Sequence, residues 1–294
     1  MELATFTVER KLADHHPVYI APIGDIQWSG ERGPTAKDIL RRHLDRCLAL
    51  DAWYVGLGDY IDFMSPSNRE RMRSAALYDT AEDVVDDKAL ELTAELFEKY
   101  LKPTKGRWLG MLHGHHFVNL RTGETTDQRL CQMLGTRFLG TSAYIRLQFR
   151  IHRSAHRVNV VLWAHHGCGG GQRAGAPLGK IEDAAASFPS ADVYIMGHTT
   201  KSPVAPYERV IARWHGHGAP DLIHKRVYLV NSGGFARGYA KGATQGKVPM
   251  GGYVEQAMMR PAALGAPIIK IVPALNYPSH GSPGVWTPTV SVEV

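Results

Sequence analysis

Short apolar runs punctuate the first two thirds of the chain, and five of them break off at an acidic residue or a histidine. Val18 to Ile26 reads as a strand ending at Asp25. Trp53 to Leu57 reads as a second, running into Gly58-Asp59. Arg107 to Leu112 ends in His113-Gly114-His115-His116, and Arg157 to Ala164 ends in His165-His166-Gly167. Asp192 to Met196 ends in Gly197-His198. A further run, Val227 to Val230, leads into Asn231-Ser232-Gly233-Gly234, and Tyr144 to Ile151 alternates like an exposed strand. Between the runs, Thr35 to Leu50 places Ile39, Leu40, His43, Leu44, Cys47 and Leu48 at helical spacing, and Ala81–Tyr100 and Pro177–Ser187 also read as helices. The stretch after Asp62 reads as a polar, arginine-bearing loop. The last 60 or so residues, rich in Gly and Pro, read as loops with a few short strands. Strands alternating with helices predict an α/β protein.

In open α/β sheets, ligands bind beyond the carboxyl ends of the strands. Loops that merely end strands would show mixed Ser, Asn, Lys and Gly. Here the ends are Asp, Asp, His-His, His-His and His in order, which points to residues gathered for chemistry. The 15 histidines sharpen this, because imidazole is the commonest transition-metal ligand.

Composition sets the outer bounds. A chain of 294 residues with 44% apolar and 21% charged residues is ordinary for a globular protein, which excludes a coiled coil, a collagen or a disordered tail. No run approaches the ~18 apolar residues of a membrane span, so no membrane association is expected. Met1 to Lys11 is charged and lacks the apolar core of a secretory signal. Cys47, Cys131 and Cys168 are too few and too scattered for a disulfide framework. The expectation is a cytoplasmic protein with reduced thiols. The net charge is +6, and residues 201–294 carry ten Lys/Arg against four Asp/Glu, so the whole excess lies there. Such a surface attracts polyanions, which makes nucleic acid a candidate partner.

The ordered blocks Asp25-Ile26-Gln27, Gly58-Asp59-Tyr60-Ile61-Asp62, Gly114-His115-His116-Phe117, His165-His166-Gly167 and Gly197-His198-Thr199-Thr200 resemble those of the calcineurin-like metallophosphoesterases. That family's blocks are DxH, GDxxD, GNH(D/E), a strand-terminal His and GHxH. The resemblance spans about residues 18–235, and His165 to Gly171 resembles the glycine-rich form of phage-borne members. It implies a two-sheet β-sandwich flanked by helices, in αββα layers. One domain over 1–294 is expected, with a Gly/Pro-rich extension at 236–294. Three blocks depart from the pattern. Gln27 replaces a His, His115 replaces the Asn with Phe117 at its acidic neighbour, and Thr200 replaces the final His.

Carried over residue by residue, the resemblance gives one metal to Asp25, Gln27, Asp59 and Thr200, and the other to Asp59, His115, His165 and His198. The first set has lost both imidazoles and the second has gained one. Three His and one Asp suit Zn²⁺, Fe²⁺ or Mn²⁺. The oxygen-only set favours Mg²⁺ or Mn²⁺. A tight nitrogen-rich site beside a weak or empty one is therefore expected. His165 is favoured over His166 as the ligand because it comes first off the strand, with His166 and His217 as the residues available to refill the depleted site. The family resemblance makes His116 the acid for the leaving oxygen and Asp62 the residue that orients it. Arg69, Arg71 and Arg73 are candidates to meet substrate phosphates, and Trp214-His215-Gly216-His217 is a candidate loop ligand.

The function so implied is metal-dependent phosphoester hydrolysis, most simply of a phosphodiester and, given the basic charge, with nucleic acid as a candidate substrate. Two rivals come from other classes: a catalytically weakened scaffold or binding module on the same fold, and a nucleic-acid-binding protein with a structural metal. The stretch Gly175–Ile181 has the wrong glycine spacing for a P-loop and no Ser/Thr after Lys180. HExxH, HxHxDH, GxSxG and a complete GxGxxG are all missing from the sequence.

Overall fold

Side-chain alternation along the strands decides the layering. In β2 (Val18–Ile23), Val18 and Ile20 face one side while Ala21 and Ile23 face the other. In β3 (Trp53–Gly56), Val55 and Tyr54 divide in the same way. Strands buried on both faces need a partner layer on each side. The computed structural model, which describes residues 1–10, 17–151, 157–171, 173, 175–214, 220–245, 247–276 and 285–293, supplies them.

The chain forms two main sheets with helices outside them. The five-stranded sheet runs β13 (Val285–Glu293), β12 (Ile268–Asn276), β2, β3, β4 (Trp108–Met111). Its β2, β3 and β4 are parallel. The six-stranded sheet runs β1 (Glu2–Arg10), β5 (Ser142–Ile151), β6 (Arg157–His165), β7 (Val193–Met196), β9 (Asp221–Asn231), β8 (Val204–Arg213). Its β6, β7 and β9 are parallel. Ile20, Val55 and Leu109 of one sheet and Ile145, Leu162 and Ile195 of the other share the core between them. Helices α1 (Lys37–Ala49), α3 (Asp79–Leu96) and α4 (Thr126–Leu134) cover the outer face of the five-stranded sheet. Helix α5 (Ala176–Ser187) covers the other outer face through Ile181 and Ala185. A small hairpin, β10 (Thr244–Gln245) and β11 (Val248–Pro249), and the short α6 (Tyr253–Gln256) lie in the segment before β12. No described helix is long and apolar enough to cross a membrane.

Three local expectations change. The stretch after Asp62 contains a helix, α2 (Pro66–Ser74), capped by the Ser65 hydroxyl with Pro66 in its first turn. Its polar composition gives no apolar stripe, but Ser-Pro is itself a helix start signal. The C-terminal region supplies two nine-residue strands of the main sheet, β12 and β13. They carry Pro273 and Pro288, which face each other in the register and disguise the strands. Tyr144–Ile151 belongs to a half-buried strand, because Ala143, Ile145, Leu147 and Phe149 are fully covered.

Helix α1 buries Leu40, His43, Leu44 and Cys47 on one stripe. The His43 ring packs on Phe235, and its Nε2 lies 3.4 Å from the Cys47 sulfur. Burial, and then Arg46, push the His43 pKa down to about 4. An unfolded chain takes up this proton near pH 6.5, well before the folded one does. His43 therefore costs the fold nothing above pH 6.5 and destabilises it as pH falls from there towards 4, by an amount on the order of 3 kcal/mol. Thermal melts at pH 7 and pH 4.5 are expected to show a smaller acid-induced drop for His43→Leu than for the wild type. Equal drops would contradict this.

Candidate metal centre

The parallel strands of both sheets deliver their carboxyl ends to one place. After β2 the chain turns at Asp25, whose N–H donates to the Gly58 carbonyl at 3.1 Å. Gln27 donates its N–H to the Asp59 carbonyl at 3.0 Å. The loop after β4 is drawn against the loop after β3 because both approach through glycine. A Cβ on Gly114 would lie 2.1 Å from the Asp59 nitrogen, and one on Gly58 would lie 2.4 Å from the Gly114 Cα. Close backbone approach of this kind admits only glycine.

Five non-glycine residues here take left-handed φ: Asp25 (49°), Gln27 (51°), Asp59 (53°), His198 (70°) and Thr200 (53°). Each such residue costs roughly 1–3 kcal/mol. Their concentration at three strand ends around one point is strain held in place by the surrounding structure.

Asp59, His115, His166 and His198 each offer one ligand atom, and these four atoms lie within 4.8 Å of one another. The Nδ1 atoms of His115 and His198 are 3.2 Å apart. Two imidazoles bound to one tetrahedral ion at ~2.0–2.1 Å would put their nitrogens about 3.3 Å apart. Asp59 Oδ2 faces His166 Nε2 at 3.4 Å. His166 Nδ1 donates to the Leu57 carbonyl, which fixes the ring's orientation and turns Nε2 inward. That Nε2 and Asp25 Oδ1 are both buried without a hydrogen-bond partner. Buried polar atoms are normally paired, so two orphans facing a set of ligand atoms fit a bound cation.

The electrostatics agree. Burial, and then the charge of Asp59, push the Asp25 carboxyl up to about 7. Burial also opposes ionisation of Asp59, but the close approach and charge of His166, and then the charge of His116, outweigh that and hold it below the usual carboxylate range. Burial alone would lower His166, yet Asp59 raises it to about 9. Burial, followed by His166 and His115, pushes His198 down to about 4. Two carboxylates and several imidazoles are therefore crowded together with like-charge repulsion that a divalent ion would relieve.

The chain matches no model of a known protein family, and it matches no curated protein.

The strand-end histidine that joins the group able to hold an ion is His166 rather than His165. Along β6, Trp163 and His165 share the α5 side of the sheet, and their rings stack with centroids 5.8 Å apart. His165 Nδ1 accepts the Gly167 N–H at 2.7 Å. Leu162, Ala164 and His166 alternate to the inner side. The parity of Leu162 and Ala164 carries this signal in the sequence; order of appearance does not.

Asp25 stands beside the four rather than among them. Its Oδ2 accepts the His198 N–H at 2.8 Å. Its Cβ and that of Thr200 both crowd Gly234, so Thr200 borders Asp25, while Gln27 is half-buried on the same turn. His116 Nδ1 donates to Asp62 Oδ1 at 2.8 Å, and its Nε2 lies 3.9 Å from Asp59 Oδ2. Asp62, through this hydrogen bond, raises the His116 pKa against the effect of burial.

Arg69 is engaged within the chain. Its Nη1 donates to the carbonyls of Met64, His115 and Phe117. Arg71 is exposed on the same helix. The Arg73 side chain, His215 and His217 lie outside the described residues. The sequence reading missed Asp127. It is fully buried in α4, accepts the Gly114 N–H at 3.0 Å, and lies 3.5 Å from His113 Nδ1. An acidic residue in a first helical turn looks like an ordinary dipole partner, so nothing in the sequence singles it out.

Proposed function

We propose that this chain is a metal-dependent phosphoesterase acting on a phosphodiester. One observation carries the reading: Asp59, grouped with three imidazoles that could share an ion, also has its Oδ2 3.9 Å from Nε2 of His116, whose Nδ1 is paired with Asp62. A divalent ion held by Asp59, His115, His166 and His198 would supply positive charge to a phosphoryl oxygen and acidify a water. Zn²⁺, Fe²⁺ and Mn²⁺ suit that donor set. The chain's own part is the proton. With Nδ1 tied to Asp62, His116 presents Nε2 towards the cluster and gives its proton to the departing ester oxygen. The two-sheet layering is compatible with the calcineurin-like metallophosphoesterase fold, and the order of the strand-end blocks supports the same likeness.

The basic excess supports a nucleic-acid substrate less than its count suggests. Of its ten Lys/Arg, Lys201, Arg209, Lys225, Arg226 and Arg237 are engaged in local contacts. A second reading, a scaffold with one depleted metal site, is favoured by the absence of imidazole at Gln27 and Thr200 beside Asp25.

Hydrolysis of bis-p-nitrophenyl phosphate and p-nitrophenyl phosphate by chelated protein, with Mn²⁺, Zn²⁺, Mg²⁺, Fe²⁺ or Ni²⁺ restored singly, separates the readings. Diester turnover that chelator abolishes is expected, with one equivalent of metal surviving dialysis. One tightly held ion with no turnover under any metal would favour the scaffold. Two equivalents surviving dialysis would refute the depleted site.

A further inference from the structure

The turn from Gly114 to Val118 belongs to no helix or strand, yet it carries both His115 and His116. A segment without a ladder must find partners for its backbone polar groups elsewhere. Six of the ten go to side chains. The Gly114 N–H donates to Asp127, and the His115 and His116 N–H groups both donate to Asp59 Oδ1. The Val118 N–H donates to the Thr126 hydroxyl. The carbonyls on either side of His116, those of His115 and Phe117, both accept from Arg69 Nη1, at 2.5 and 2.8 Å. The Arg69 guanidinium also lies over the Phe117 ring, 4.0 Å from its centroid.

We infer that Arg69 is a positioning residue that grips the turn on both sides of His116 and so sets where the His116 imidazole stands relative to the metal centre. The inference rests on the phosphoesterase reading for its catalytic consequence, but not for the grip itself. Arg69 comes from α2, an element separate in sequence from the turn, and its Nη1 bridges two carbonyls two residues apart. Asp59 holds the His115–His116 peptide by its N–H while Arg69 holds it by its C=O, and Asp59 also takes the N–H of the peptide before it. The turn is thus clamped by an anion on its N–H side and a cation on its C=O side: the peptide plane that enters His116 is held from both edges, and the carbonyl of Phe117 is held beyond it. The outer side of Arg69 borders a cavity of about 220 Å³, shared with Met64, Met72 and Val118.

Two substitutions separate grip from bulk. Arg69→Met keeps an unbranched stem near Phe117 and removes every donor. Arg69→Lys returns a cation with three donors on one nitrogen. A misplaced acid hurts most when the leaving group is poor, so the test compares methyl phenyl phosphate with methyl p-nitrophenyl phosphate on Mn²⁺-loaded protein. Arg69→Met is expected to lose about tenfold more rate on the phenyl ester than on the p-nitrophenyl ester, and Arg69→Lys to restore most of that difference. A merely structural loss would lower both rates alike. Amide hydrogen exchange across residues 114–118, measured on the metal-free chain, is expected to quicken in Arg69→Met while β3 and β4 stay protected. Wild-type protein that hydrolyses neither ester would sink the phosphoesterase reading alone. Unchanged exchange at 114–118, or equal losses on the two esters, would overturn the role given to Arg69.

Discussion

Asp59→Asn is expected to cost more metal affinity than any other single isosteric change in the chain, and metal-dependent turnover with it. Partners one step removed from a metal typically cost ~10–100-fold in affinity when replaced. Asp59 is within ligand distance itself, so the loss should exceed that range. The substitution keeps the shape and an oxygen at Oδ1, which can still accept the His115 and His116 N–H groups. What disappears is the negative charge facing His166. Asp59 is the reason His166 holds its proton up to about 9. Without it, burial governs His166, and its affinity for a proton falls. Asp25, raised partly by repulsion from Asp59, should ionise more readily. The fold should survive, because the backbone contacts survive. Isothermal titration with Zn²⁺ or Mn²⁺, together with a thermal melt, checks this. Wild-type affinity in a folded Asp59→Asn protein would show that the four ligand atoms do not share an ion. A companion pair sharpens the result: His166→Ala should lose the ion and His165→Ala should keep it.

That pair also marks how far the sequence could be read. The strand ends were legible because short apolar runs stop abruptly at Asp and His, and a parallel sheet buries such runs on both faces. The choice between two adjacent histidines was not legible from order alone. His165 is the last residue of β6, paired with Ser142 and Met196, so its direction follows strand parity and points to α5. The hold of Arg69 on the 115–117 backbone was not legible for a different reason. Its partners are carbonyls of residues 115 and 117, and no local pattern announces a contact about 46 residues away in the chain. Asp127 was hidden likewise, since only the tertiary approach of α4 to the 114 turn gives it a partner. The C-terminal strands were obscured by Pro273 and Pro288, which the pairing of β12 with β13 accommodates. Local rules thus found the elements with strong apolar patterning. Residues whose task is to hold another segment's backbone were visible only in the fold.

Replacing His116 by Ala should separate chemistry from metal binding. Its Nδ1 is committed to Asp62 and its Nε2 stands 3.9 Å from Asp59 Oδ2, outside the four-residue ligand set. The metal content of His116→Ala should therefore match the wild type, while turnover falls by roughly 10²–10⁴-fold, the usual worth of a placed proton donor. The fall should be steepest for esters with poor leaving groups, which need the proton most. Asp62→Asn should show the same selectivity in weaker form, because the imidazole remains but loses its anchor. It should also move the pH profile. Asp62 raises the His116 pKa, so removing its charge lets that pKa fall, and the alkaline limb of the profile, where the donor loses its proton, should shift to lower pH. An unmoved limb would assign the proton to another group. Loss of metal from His116→Ala would instead make that imidazole a ligand, leaving the cluster with four histidines and no proton donor.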